Sequence, residues 1–219
     1  MAWNTPKTWA QNENVTASTL NAQLRDNLNY LNDGAAGIFT NEAARDSAIP
    51  SPVQGMRAYL TAATVPAATG DTTAVPGGVQ TIYNGSVWVC VTSVGAYTQN
   101  AGTSSSSGYT ATLGGSPGTN PTVTLVTGTT ALVSFSNYIT CTAAGVAAAS
   151  VSVSGASTVA ASNAWSGATS LGAGQTSTGA RTFVIPGLTA GTNIFTMEYD
   201  AFGSAAQFEF RSITVQGVA

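Results

Sequence analysis

Between Thr72 and Ala180 the chain carries no Asp, Glu, Lys or Arg, an unbroken run of 109 residues in a sequence of 219. Soluble domains usually have about 25 % charged residues; this chain has 7 %. Over this stretch Ser and Thr must provide the polar face that Lys and Glu usually provide. Their short side chains lose little rotamer entropy on ordering, and they bring no self-repulsion when copies of a chain pack closely. The remaining charges divide the sequence. Residues 1–71 hold four positive and six negative groups, and residues 181–219 hold two and three.

The same arithmetic excludes whole classes of chemistry. There is no histidine, so Ser-His-Asp, Cys-His and His-metal sites are not available. Six basic residues at a net charge of −3 do not make a phosphate-neutralising footprint, so no nucleic-acid partner is expected. No run of 18 or more apolar residues occurs, which argues against membrane insertion by a helix. Met1–Ala10 has neither the basic start nor the apolar run of a signal peptide, so synthesis in a cytoplasm is expected. Cys90 and Cys141 lack metal-ligand spacing and read as two free, buried thiols. Neither a metal nor another cofactor is expected. Low net charge and aromatics recurring to the end of the sequence argue against disorder.

Residues 1–60 read as an N-terminal arm and helical docking region. Trp3 and Trp9 stand in a polar stretch without helical or strand period, and two such rings need a surface, either their own domain or another protein. Thr16 is a good N-cap. Leu20, Leu24, Leu28 and Leu31 then form one narrow apolar stripe, and Gly34 suits the helix end. A helix of about 16 residues with a single stripe does not bury itself, so the stripe must meet this chain or symmetry copies of it. A second helix is expected over Asn41–Ala48, capped by Thr40, stapled by Phe39 and stopped by Pro50 and Pro52. Met56–Leu60 reads as a short strand.

Residues 61–97 form a β-hairpin region. Its first part, 61–79, reads as loop, and Asn84-Gly85 between two apolar runs is a strong hairpin signal. Residues 98–121, rich in Ser, Gly, Thr and Pro, read as a flexible linker in which Tyr109–Leu113 could form a short strand. From Thr122 apolar residues alternate with Ser and Thr: Val123/Leu125, Val133/Phe135, Val151/Val153 and Phe195/Met197/Tyr199. Phe183–Ile185 reads as a short buried run. Half-buried strands separated by Gly, Ser and Asn turns predict an antiparallel β-sandwich over 122–219, of jelly-roll or Ig-like type, with roughly eight strands. Near Arg211–Ser212 the apolar parity switches from Phe208/Phe210 to Ile213/Val215, which predicts a β-bulge or burial on both faces. The fold class is therefore mainly β: a short helical region, a hairpin, then the sandwich.

Chemistry-bearing residues are few. Glu198 and Asp200 share one strand face with Glu209 nearby, the minimum for glycoside hydrolysis. An exposed strand face with Arg181 and Arg211 as weak ion-pair partners accounts for them better, and no catalytic residue is assigned. Trp165, in a loop-like Asn163–Gly167 stretch, is a candidate glycan contact by stacking. The competing role is a core or inter-subunit filler in a sandwich rich in Ala and Ser.

Three stretches carry a family resemblance. Val15–Leu31 (VTASTLNAQLRDNLNYL), Ala43–Leu60 (AARDSAIPSPVQGMRAYL) with the Tyr83–Trp88 hairpin, and Ile185–Tyr199 running through Phe208–Val215 resemble bacteriophage minor virion proteins of tail-fibre or head-fibre type. The last stretch also resembles other trimeric jelly rolls. The resemblance implies a homotrimer in the virion, with an N-terminal region docked on other virion proteins and an outward β domain. It implies a non-enzymatic structural role: a minor tail or fibre protein for surface attachment, or a capsid-decoration protein of the head. The absence of a shaft repeat favours a compact knob over a long fibre. From another class, a carbohydrate-binding module or glycan hydrolase would instead engage a cell-surface glycan through Trp165.

Overall fold

Thr16 opens the first helix as its side chain allows. In the computed structural model, which describes residues 8, 10–26 and 37–219, Thr16 Oγ1 accepts the Thr19 N–H at 3.2 Å. Helix α1 spans Ala17–Leu20. The chain then continues as a π-helix over Asn21–Asp26, where a continuous α-helix is the sequence expectation. π-Helical turns are rare and occur frequently at functional sites. Leu20 and Leu24 are 43 % and 54 % exposed, and α1 has no buried residue. Trp3, Trp9, Leu28 and Leu31 lie outside the described residues.

A small four-stranded sheet follows. Strand β1 (Gly37–Phe39) runs parallel to β2 (Arg57–Leu60), and between them α2 spans Glu42–Ala48. The cap of α2 is Asn41, whose Oδ1 accepts the Ala44 N–H at 3.0 Å, rather than Thr40. Asn ranks above Thr at this position, and Phe39 is taken up by β1. Strands β3 (Ala67–Thr69) and β4 (Thr72–Ala74) leave this sheet for the sandwich. Strands β5 (Val79–Tyr83) and β6 (Trp88–Cys90) return to complete the order β1-β2-β5-β6. Their connection is a four-residue turn. Asn84 Oδ1 accepts the N–H groups of Ser86 and Val87 at 3.0 and 2.9 Å, and Gly85 takes φ +98°.

The sandwich is built from β7 (Val94–Thr98), β8 (Gly102–Ser104), β9 (Gly114–Gly115), β10 (Thr122–Thr127), β11 (Thr130–Cys141), β12 (Gly145–Gly155), β13 (Gly167–Leu171), β14 (Thr176–Pro186), β15 (Gly191–Asp200) and β16 (Ala206–Val218). One sheet is ordered β14-β11-β16-β7-β4, with β8 and β9 added beside the start of β16. The other is ordered β13-β12-β15-β10-β3. Strands β7 and β10–β16, taken as eight successive strands, therefore pair as first-eighth-third-sixth and second-seventh-fourth-fifth. That interleaving is a jelly roll and excludes an Ig-like order. The alternation read from the sequence is the core: Val123, Leu125, Val133, Val151, Val153, Phe195, Met197 and Tyr199 are buried between the sheets. Cys90 and Cys141 are both free and buried.

Three segments differ from the sequence reading. Residues 61–79 hold β3 and β4, which have only Ala and Thr side chains and are held by backbone pairing to β10 and β7. Residues 98–121, linker-like in composition, lie along the sandwich: β8 pairs with Ala206–Phe208, Thr110 bridges Tyr199, and Leu113 is buried in the core. The run Phe183–Ile185 belongs to the edge strand β14, so that Ile185 is buried while Val184 is 50 % exposed. Residues 122–218 contain seven strands rather than eight. The bulge is real: register passes from Ser136↔Ser212 to Tyr138↔Glu209, leaving Phe210 and Arg211 opposite Asn137. Phe210 takes φ +50° to make it.

Candidate docking and contact sites

The bulge decides the fate of Arg211. Before it, Phe208 points inward; after it, Ile213 and Val215 do, and Arg211 is carried inward with them. The sequence reading makes Arg211 a surface ion-pair partner. In the fold it is 1 % exposed, and no carboxylate among the described residues pairs with it. Its Nη1 donates to Asn120 Oδ1 and Tyr199 OH, both at 3.4 Å. Its Nη2 donates to the carbonyls of Asn100, at 3.3 Å, and Pro117. Tyr199 OH donates onward to Asn120 Oδ1 at 2.9 Å, and Asn120 Nδ2 donates to Met197 O at 2.8 Å. Burial pushes the Tyr199 phenol up to about 12, against the opposing pull of Arg211. This cluster clasps residues 98–121 to the sandwich. Asp71 closes its outer end, accepting the Thr119 N–H at 2.9 Å.

The carboxylates differ in their surroundings. Glu198 is half-buried on the outward face of β15, opposite Ser150. Asp200, expected on an exposed face, is 4 % exposed. Its Oδ1 accepts the Phe202 N–H at 2.6 Å and shapes the turn before β16. Arg181 donates to the Ser166 carbonyl at 3.1 Å, away from both. Among the described residues, no group of three or more Cys, Asp and Glu side chains is placed to hold a metal ion.

Trp165 lies in a short 3₁₀ turn, Asn163–Trp165, at the sandwich edge. Its ring stacks on Phe183 at 5.8 Å and 20°, and Phe183 meets Phe135 edge-on at 6.1 Å. Tyr109 OH donates to Asn163 Oδ1 at 2.7 Å and steadies the turn. One face of the indole is thus used by the protein itself, and its Nε1 is buried.

Depressions among the described residues include two of note. A cleft of about 610 Å³ is lined by the hydroxyls of Thr103, Ser104, Ser106, Thr110 and Thr142. A crevice of about 310 Å³ lies where α2 meets the sandwich, between Arg45, Trp88, Cys90 and Thr192. Arg45 is 5 % exposed there, stacked 4.7 Å from the Trp88 ring centroid and bonded through Nε to Asp46 at 2.9 Å. Neither Arg45 nor Arg211 is marked in the sequence as a buried cation. The parity switch around Arg211 is the one available signal.

No protein-family model matches the chain, and no curated protein does. Among solved structures it is similar to Eiger TNF from S. frugiperda, with a TM-score of 0.41 and 10 % identity over 58 % of this chain and 92 % of that one. It is also similar to a chain of the infectious bursal disease virus Gx strain, with a TM-score of 0.36 and 16 % identity over 66 % of this chain and 39 % of that one. A third is the CBM22-1 xylan-binding domain from Paenibacillus barcinonensis Xyn10C, with a TM-score of 0.24 and 11 % identity over 57 % and 87 %. The jelly-roll assignment rests on the strand order of this chain itself.

Proposed function

We propose that this chain is a non-enzymatic structural protein of a bacteriophage virion, a homotrimeric minor tail or fibre protein. It is made in the host cytoplasm, docks on other virion proteins through its N-terminal region and presents its jelly roll outward for surface attachment. The observation that carries this reading is the division of labour between the two parts. Among the described residues the jelly-roll core is built from Val79 onward, while Leu20 and Leu24 on the helical segment are 43 % and 54 % exposed. Two leucines of the stripe exposed in this way are suited to a partner. The sequence resemblance of Val15–Leu31 and Ala43–Leu60 to minor virion proteins names the class of partner. Three linked copies would turn weak individual contacts into firm attachment.

Trp165 stacked on Phe183 supports a packing role over a sugar platform, and the turn-forming role of Asp200 supports the non-enzymatic reading. Imaging intact particles tests the proposal and separates its two locations. Density for three copies at the tail supports the minor tail protein, and density on the head supports a capsid-decoration protein. Absence of the chain from purified virions overturns both.

A further inference from the structure

We infer that the outer face of the sheet containing β14, β11, β16, β7 and β4 is the surface through which copies of this chain meet, an inference that rests on the trimer proposed above. In-register residues cross this face in rows. One row runs Ala180, Ser136, Ser212, Tyr97 and Thr72 across all five strands. In the next, Thr182 and Thr214 flank Ser134. Beyond it, Val184 stands beside Leu132, 50 % and 36 % exposed. No Lys, Arg, Asp or Glu occupies an outward position in these rows. The first charge, Glu209, lies past the bulge, opposite Tyr138. Arg181, on the edge strand, is turned aside to the Ser166 carbonyl.

A second observation sets this face apart. Four of its hydroxyls pair with one another: Ser134 Oγ with Thr182 Oγ1, and Ser136 Oγ with Ser212 Oγ, each at 2.8 Å. Covering these four costs less than covering free hydroxyls, because each pair already satisfies one donor and one acceptor within the face. The opposite sheet is different. Its outward face carries Glu198, and Ser150 beside it is already covered, donating to Ser162 O at 2.9 Å.

The occupant follows from the charge. A basic or acidic partner finds nothing to pair with in these rows. A second copy brings the same uncharged rows of hydroxyls and aliphatic side chains, with no ion there to desolvate and no like charges to oppose.

The test is charge insertion in the full chain. Thr182→Arg/Thr214→Arg changes two exposed positions on one row. Light scattering should give a trimer for the unmodified chain, and the variant should dissociate with an apparent dissociation constant raised about 100-fold or more, with unchanged far-UV circular dichroism. Val184→Lys, a single change on the edge strand, should act in the same direction should the double variant misfold. Thr124→Arg, on the outward face of the other sheet, should leave assembly intact. A trimer that survives both Thr182→Arg/Thr214→Arg and Val184→Lys overturns this inference and leaves the trimer standing. An unmodified chain that is monomeric overturns the trimer itself.

Discussion

The guanidinium carbon of Arg211 lies 5.5 Å from the centroid of the Tyr199 ring, and its Nη1 donates to the Tyr199 hydroxyl at 3.4 Å, with both side chains buried in the jelly roll. The charge is held by carbonyls, a phenol and an amide. Burying a cation in this way is costly unless its donors find acceptors; both Nη atoms do, largely from residues 98–121, while Nε is buried without a partner.

Arg211→Met should therefore release that segment. The apolar replacement removes a desolvation cost, but it leaves the carbonyls of Asn100 and Pro117 without this donor. At about 1–3 kcal/mol for each buried group left unsatisfied, the loss of acceptors' partners wins. Urea unfolding should show about 3 kcal/mol lower stability, and limited proteolysis should cut within residues 99–120 first. Unchanged stability and cutting elsewhere would remove Arg211 from this role.

Alkaline stability should report on Tyr199. Burial pushes its phenol up to about 12, while in the unfolded chain it ionises near 10. The unfolded state thus loses this proton first. The contribution is intact below about pH 10 and is lost as pH rises through about 12, at about 1.4 kcal/mol per pH unit in that window. Tyr199→Phe should flatten this part of the curve. An equally steep fall in the variant would assign the slope to other groups.

Glu42 sets the acid side. Partial burial raises its pKa, but the N–H groups of Val65, Glu42 and Thr64 and the Thr64 hydroxyl lower it further, leaving the carboxyl below its ordinary value. Its oxygens accept the Val65 N–H at 2.9 Å and the Thr64 hydroxyl at 2.9 Å, tying α2 to the approach of β3. A depressed carboxyl contributes above its unfolded pKa and loses that contribution as pH falls through the folded one. Glu42→Gln should cost about 1 kcal/mol at neutral pH, because a charge-assisted bond near the surface is only modestly strong. The cost should vanish in acid, as followed by thermal melts at stepped pH.

Gly179 and Trp165 should be sensitive for packing reasons. A Cβ at Gly179 would sit 2.8 Å from Asn137 Oδ1 and 3.2 Å from the Gly167 carbonyl. Gly179→Ala should destabilise by about 2 kcal/mol through overpacking. Trp165→Ala, which uncovers Phe183, should cost about 2 kcal/mol, less than a fully buried tryptophan. Trp165→Phe should recover most of it. Thermal denaturation of the three variants checks the order.

Where a residue's own side chain determines its place, the fold was legible in the sequence. Val123, Phe195 and Met197 alternate with Thr because one face of a strand is buried, and that pattern carried the sandwich. Asn84-Gly85 carried its turn. Strands β3 and β4 were hidden because Ala and Thr there have no apolar alternation, and partner strands alone hold them. Residues 98–121 were hidden for a related reason. Ser and Gly signal freedom locally, whereas Arg211, Tyr199 and Asp71, distant in sequence, hold that segment in place. The parity switch near Arg211–Ser212 pointed to a bulge or burial on both faces, but not to a bulge at Phe210–Arg211 that buries a cation. Trp165 was visible as an aromatic in a turn, but the Phe183 ring on which it stacks lies distant in sequence and gave no signal.

The position of β16 has a consequence for how the chain is made. It is the final strand of the jelly roll in sequence order, yet it is inserted between β11 and β7 in the middle of its sheet. Pairing therefore joins residues more than a hundred positions apart, as at Arg211 and Thr98. Such distant closure slows folding. A ribosome must release residues 206–218 before the sheet can close. Until then β11 and β7 present open edges, which are templates for pairing with other chains. A product truncated before Ala206 would be recognisable as defective by those edges, and it would be a substrate for chaperones and proteases rather than for assembly.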